Sequence, residues 1–311
     1  MCRVVDLKSH STHISCYNNT AQIDCHQAVA PGITVQIECN PRYSFLPHAQ
    51  KMFKCLESGE WSGQRTECKA DCGKLVAKAS ALIDERGAKP HEIPWNVVIY
   101  HKERQICGGT IISGLFLNSR TLYFLVSMIF FLFLELIVLS AAYCFRTDLA
   151  EGVSGIVKSE YKIAVGKYYR DIDASEADET QTLNVLDVTI PANYNGIGSN
   201  YLGDIAVLTL DAAIIFSNHI APACLNINAR GVRDKQLPIN NTKGLLAGFG
   251  VTQGLKQSKV LRKIGVKIVS YERCLKMAAV DYKSFLVYDK SCAGFTNNTG
   301  GLCKGKTIYD L

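Results

Sequence analysis

Cysteine is the residue type with most chemistry to offer in this chain. Thirteen occur in 311 residues, and seven of them precede Gly73. Such density points to a small cross-linked module made in an oxidising compartment. There is no Cys-x-x-Cys, so neither a metal site nor a cofactor is expected. Composition alone singles out no general base or oxygen nucleophile. A phenol, with its pKa of about 10, is no base near neutrality. A hydroxyl without a base beside it is no nucleophile. Three Asn-x-Thr sequons mark Asn18, Asn240 and Asn297 as glycosylation candidates.

The bulk properties narrow the function classes. A hydrophobic fraction of 48% and a charged fraction of 20% suit globular domains with real cores. The net charge of +6 comes from scattered lysines and arginines with no basic run, so no nucleic-acid partner is expected. Cys2 follows Met1 directly, with no charged or apolar leader region. Either the protein stays in the cytosol or this N-terminus is not the natural one, and the cysteines favour a secreted protein whose start is missing here.

The elements that must position these side chains are short strands and turns. In residues 1–70, Val35-Gln36-Ile37-Glu38-Cys39 alternates as a half-buried strand does, and Met52-Phe53-Lys54-Cys55 leads to Gly59-Glu60-Trp61. So short a segment buries too little apolar surface to stand without disulfides. The pattern Glu38-Cys39-Asn40-Pro41-Arg42-Tyr43, Cys55, Gly59-Glu60-Trp61, Cys68 resembles a sushi (complement control protein) module. The resemblance implies the pairs Cys2–Cys55 and Cys39–Cys68 and leaves Cys16 to pair with Cys25. Arg42 stands where that family usually has glycine. Sushi modules generally bind partners.

Further along, Cys107-Gly108-Gly109-Thr110-Ile111-Ile112-Ser113 and Leu139-Ser140-Ala141-Ala142-Tyr143-Cys144 flank an apolar run. Pro94-Trp95-Asn96-Val97, Asp204-Ile205-Ala206-Val207-Leu208, Gly244–Gly250 and the cysteines at 274 and 292 follow in an order that resembles the trypsin/chymotrypsin serine proteases. The resemblance covers Cys72 to about Gly305. It implies a mainly β protein: a small disulfide-linked sushi-like module, a linker with a zymogen activation region at 71–94, and an incomplete chymotrypsin-like double β-barrel at 95–311. That barrel is interrupted by an apolar insertion at 114–135 and truncated after 305.

Residue by residue, the resemblance puts Asp204 at the triad carboxylate, Tyr143 at the histidine and Thr307 at the serine. Gly305 falls on an oxyanion-hole amide and Gly301 near the base of the specificity pocket, with no acidic residue to select Arg or Lys. Leu82 and Ile83 fall on the activated N-terminus. Ala81 before them is not a tryptic cut site, and Lys74 and Lys78 are alternatives. Lys306 replaces the aspartate that would receive the new ammonium, and like charges repel there. The implied disulfides are Cys72–Cys224, Cys107–Cys144 and Cys274–Cys292, which leaves Cys303 free. Serine protease chemistry needs all three triad side chains, so this chain is expected not to hydrolyse peptides.

The apolar run has its own reading. Thr121 to Ala142 holds fourteen Leu, Ile, Phe or Val and one charge, Glu135. At about −0.3 to −0.6 kcal/mol each these outweigh one acid at about +3, so hydropathy suggests a membrane span at 121–142. A span there would put Cys107 and Cys144 on opposite sides of a membrane, and it is disfavoured. Translated intron explains the run better. Deleting Gly114–Glu135 joins Ser113 to Leu136 as in the family, Phe130–Leu134 is what a pyrimidine-rich splice tract encodes, and Gly305-Lys306 fits a splice donor.

The expected protein is a secreted modular trypsin-like endopeptidase, similar to arthropod modular proteases that initiate innate-immune cascades. Its expected partners are an upstream pattern-recognition protein and a downstream protease zymogen. The alternative is a catalytically dead homologue that works by binding, for which Tyr143 is the best support.

Overall fold

The computed structural model describes residues 1–74, 88, 90, 92–112, 137–145, 156–174, 180–225, 243–250, 257–287, 289–290, 292–294 and 307–309, the last three as backbone only. Leu82, Ile83, Gly301, Cys303, Gly305, Asn240, Asn297 and the insertion at 114–135 lie outside the described residues. The chain divides into two units, Met1–Asp71 with Ile215–Ala221, and Cys72–Ile214 with Pro222–Leu311.

In the first unit, β1 (Cys2–Arg3) pairs with β4 (Ala28–Val29). A four-stranded antiparallel sheet runs β3 (Ala21–Ile23), β2 (Thr12–Asn18), β5 (Thr34–Cys39), β7 (Met52–Lys54). β6 (Tyr43–Phe45) pairs with β8 (Cys68–Ala70). The alternation along β5 sends Val35 and Ile37 inward, where they are buried with Phe53 and Leu7. Trp61 covers this cluster and its indole N–H donates to the Arg3 carbonyl at 3.0 Å. Three disulfides bind the unit: Cys2–Cys55, Cys16–Cys25 and Cys39–Cys68. Asn18 ends β2 at an exposed turn, where Asn19 takes a left-handed φ of 53°.

The second unit holds a closed six-stranded barrel. It uses β9 (Asn96–His101), β10 (Arg104–Ile111), β11 (Ile137–Ser140), β12 (Tyr161–Val165), β13 (Gln181–Thr189) and β14 (Ala206–Leu210). Their order around the barrel is β10-β11-β14-β13-β12-β9. Ile99, Ile111, Val138, Ile163 and Leu208 are wholly buried and fill it. Gly109 is required by packing: a Cβ there would meet Val138 Cγ1 at 2.8 Å and the Leu139 carbonyl at 2.9 Å. The end of the apolar run is therefore a barrel strand, β11, hydrogen-bonded on both sides. No helix among the described residues is long and apolar enough to cross a membrane.

A second sheet follows, β15 (Lys243–Gly248), β16 (Arg262–Val269), β17 (Cys292–Gly294) and β18 (Thr307–Tyr309), in the order β17-β16-β15-β18. The helix α1 (Tyr271–Met277) joins β17 through Cys274–Cys292. Cys107–Cys144 ties β10 to the turn after β11, and Cys72–Cys224 closes a separation of 152 residues. The mainly β reading with its barrel thus holds. Two buried lysines were not legible in the sequence. Lys167, just past β12, turns its ammonium to the carbonyls of Ile172 and Ala174 at 3.5 and 3.4 Å. Lys263 on β16 pairs with Glu92.

Candidate functional site

Antiparallel pairing builds the site. β11 and β14 are neighbours with Ser140 opposite Ala206. Going forward from Ser140 to Tyr143 therefore leads the same way as going back from Ala206 to Asp204. The two candidates come to one end of the barrel although 61 residues separate them. Past β11 the chain makes one 3-10 turn, Ala142–Cys144, with Ala142 and Cys144 buried and Tyr143 half-exposed. The turn is fixed below by the Cys107–Cys144 bond and by Ser140 Oγ, which donates to the Gly108 carbonyl at 2.9 Å. Here the Tyr143 backbone N–H donates to Asp204 Oδ1 at 2.8 Å.

The electrostatics of the pair exclude base catalysis. What burial the Tyr143 phenol has raises its pKa above the usual 10, and the neighbouring Asp204 charge raises it further. The phenol stays protonated at any physiological pH. It can donate a proton in a hydrogen bond but cannot take one from a nucleophile.

Asp204 is delivered by a contorted loop. A 3-10 turn at Gly196–Ser199 is followed by Asn200 and Tyr201 at φ 52° and 56°, then Gly203 at 72°. Three left-handed residues in four need outside support. Asp289 Oδ2 accepts from the Gly203 N–H at 2.7 Å, and Lys290 Nζ donates to the Tyr201 carbonyl at 2.7 Å and to Asp289 at 2.8 Å. Burial opposes ionisation of Asp289. The Lys290 ammonium and the Gly203 N–H outweigh it and hold the carboxyl below its usual range. Sequence reasoning missed this clamp because its partners are up to 89 residues apart and no motif contains them.

The lowered pKa fixes the sign of a pH effect. The clamp's stabilisation is complete above the unfolded carboxyl value of about 3.9 and is lost as pH falls through the lower folded value. Asp289→Asn is expected to lower stability by about 1 kcal/mol at neutral pH, after allowance for its partial exposure. The difference from wild type shrinks below about pH 4 in denaturant titrations, because the wild-type carboxyl then protonates as well.

For the third candidate the structure describes backbone only. Thr307 opens β18, opposite Ala247 of β15. The structure therefore joins Tyr143 to Asp204 and sets Thr307 in extended strand backbone. No cluster of three metal-ligating side chains occurs among the described residues.

The family model described as Trypsin matches residues 131–307. Modular serine protease of Drosophila melanogaster is 24% identical over 79% of this chain and 36% of its own length. Inactive serine protease PAMR1 of Xenopus tropicalis is 30% identical over 58% of this chain and 23% of its own. Clotting factor C of Tachypleus tridentatus is 22% identical over 86% and 24%. The chain thus spans about a quarter to a third of these relatives. Among solved structures, human heparin binding protein superposes with a TM-score of 0.52 at 18% identity, covering 74% of this chain and 80% of that one. Neuropsin, a serine protease of mouse brain, gives 0.52 at 18%, covering 74% and 82%. At such identity these two speak for the fold alone.

Proposed function

Since this chain belongs to the trypsin family, we propose that it is a serine protease homologue that acts by binding rather than by hydrolysis. The observation that carries this is the bond from the Tyr143 N–H to Asp204 Oδ1. The turn that would carry a histidine is folded onto its carboxylate, while the side chain on it is a protonated phenol. Family frame and lost base occur together, as suits a folded pseudoenzyme. In this reading the protein is secreted and its N-terminal unit is a sushi-like recognition module. Its partners are a pattern-recognition protein upstream and a protease zymogen downstream, in a cascade of the innate-immune kind. The matched relatives include both named proteases and a named inactive protease, which is compatible with this assignment. Affinity capture with the full chain as bait, from the fluid of its own source, tests it. Recovery of a protease zymogen or its activator supports the reading, and turnover of peptide substrates by the pure chain refutes it.

A second reading is an active protease whose message differs from this sequence, and one observation favours it. The Ile112 N–H donates to the Ile137 carbonyl at 3.2 Å, continuing the β10–β11 ladder up to the insertion. Without Gly114–Glu135, only Ser113 and Leu136 would connect Ile112 to Ile137, the length of a tight hairpin loop. Shortening that connection about twelvefold should lower the loop-closure cost by about 2 kcal/mol. The deletion variant is therefore expected to be more stable by roughly that amount in chemical denaturation. A loss of stability would mean that the insertion belongs to the fold. Full-length cDNA across codons 113, 143 and 305 separates the two readings.

A further inference from the structure

Arg42 has a left-handed φ of 69°. A bulky side chain seldom adopts that conformation, which glycine adopts freely. Strain of this kind persists where surrounding structure enforces it, and it is a reason to ask what the side chain does. The chain re-enters the first unit at Ile215–Ala221. Arg42 Nη2 donates to the Asn218 carbonyl there at 3.0 Å. Its neighbour Tyr43 stacks on Phe216, with ring centroids 5.5 Å apart and planes at 26°, and His10 meets Tyr43 edge-on at 6.3 Å. Phe216, Ile220 and Tyr43 are buried, whereas Ile215 is 69% exposed. The segment is a turn in its own right, closed by the Ser217 N–H on the Ile220 carbonyl at 2.9 Å.

We infer that His10, Arg42 and Tyr43 form a recognition face for Ile215–Ala221, and that Arg42 is held in its left-handed conformation because its guanidinium anchors this segment. The face reads an aromatic ring followed two residues later by a backbone carbonyl. Stacking fixes the ring and the guanidinium fixes the carbonyl. The backbone of Arg42 is pinned for this task, since its carbonyl accepts the Asp71 N–H at 2.7 Å at the end of the segment that follows β8. Ile215–Ala221 lies between β14, which Asp204 precedes, and Cys224. A partner that engages the N-terminal unit would thereby bear on a stretch of chain contiguous with both. The inference is independent of whether the chain hydrolyses anything.

Hydrogen exchange read by mass spectrometry on the full chain tests it. Glycine is at home at a left-handed position, so Arg42→Gly should fold and lose only the anchor. The expected result is exchange at least about tenfold faster in peptides covering 215–221, with β5 and β9 unchanged. Phe216→Ala, made from the other side, should give the same loss at 215–221 and also loosen residues 42–45. Unchanged protection at 215–221 in Arg42→Gly would overturn the inference. So would faster exchange spread evenly through β5 and β9, because the arginine would then serve general stability rather than this segment.

Discussion

A chromogenic trypsin substrate offered to the pure chain is expected to remain uncleaved, about 10⁶-fold below the turnover of an intact triad. That is the order of loss when the base or the nucleophile alone is removed from a serine protease, since the triad acts as a unit. The base is missing for a stated reason: the Tyr143 phenol is held protonated by burial and by Asp204. The same non-additivity makes Tyr143→His a discriminating variant. The imidazole would stand on a turn whose N–H already meets Asp204. Even so, hydrolysis should not rise measurably, because in the proposed reading Gly305-Lys306-Thr307 stands in place of the serine and its flanking aspartate. Rates of ester and amide hydrolysis with an active-site titrant check this. Activity in Tyr143→His would show that a nucleophile is in place after all, and the binding proposal would have to yield to the protease reading.

The second large effect concerns stability. Lys263 and Glu92 form an ion pair with side-chain exposures of 8% and 6%. Glu92 lies just before β9, while Lys263 is on β16. The Ala88 N–H also donates to the Leu261 carbonyl at 2.9 Å, so the segment entering the barrel is fastened twice to the start of β16. A buried pair contributes little net stability compared with an apolar pair of similar size, but breaking it strands a charge. Glu92→Gln is expected to destabilise the chain by about 3–5 kcal/mol. Glu92→Leu with Lys263→Met should recover most of that loss, since neither charge is then left unpaired. Denaturant midpoints at neutral pH give both numbers. A Glu92→Gln loss under about 1 kcal/mol would place the pair in effective contact with water.

How much of this was readable in advance differs by element. The β5 strand was legible because Val35 and Ile37 alternate with polar residues, and period two is a local property. The strands of the second unit came through motif order: Pro94-Trp95 leads into β9, Asp204 precedes β14, and Gly244 lies in β15. The strand after Asp204 starts at Ala206, because Gly203 and its neighbours turn the chain first. The apolar run was ambiguous by composition. Hydropathy counts side chains and cannot register that Ile137–Ser140 finds hydrogen-bonding edges on β10 and β14.

The sequence by itself determined the types of residue at the candidate site and hence what they cannot do. A tyrosine is no general base wherever it is placed, and seven cysteines before Gly73 point to a small cross-linked module. Tertiary structure alone decided which distant groups meet: Asp289 and Lys290 with the loop before Asp204, Glu92 with Lys263, Arg42 with Asn218. The physical reason is range. Side-chain identity and periodicity are written in neighbouring residues. A hydrogen bond across 86 or 176 positions exists only once the backbone has closed, and nothing local in the sequence encodes it.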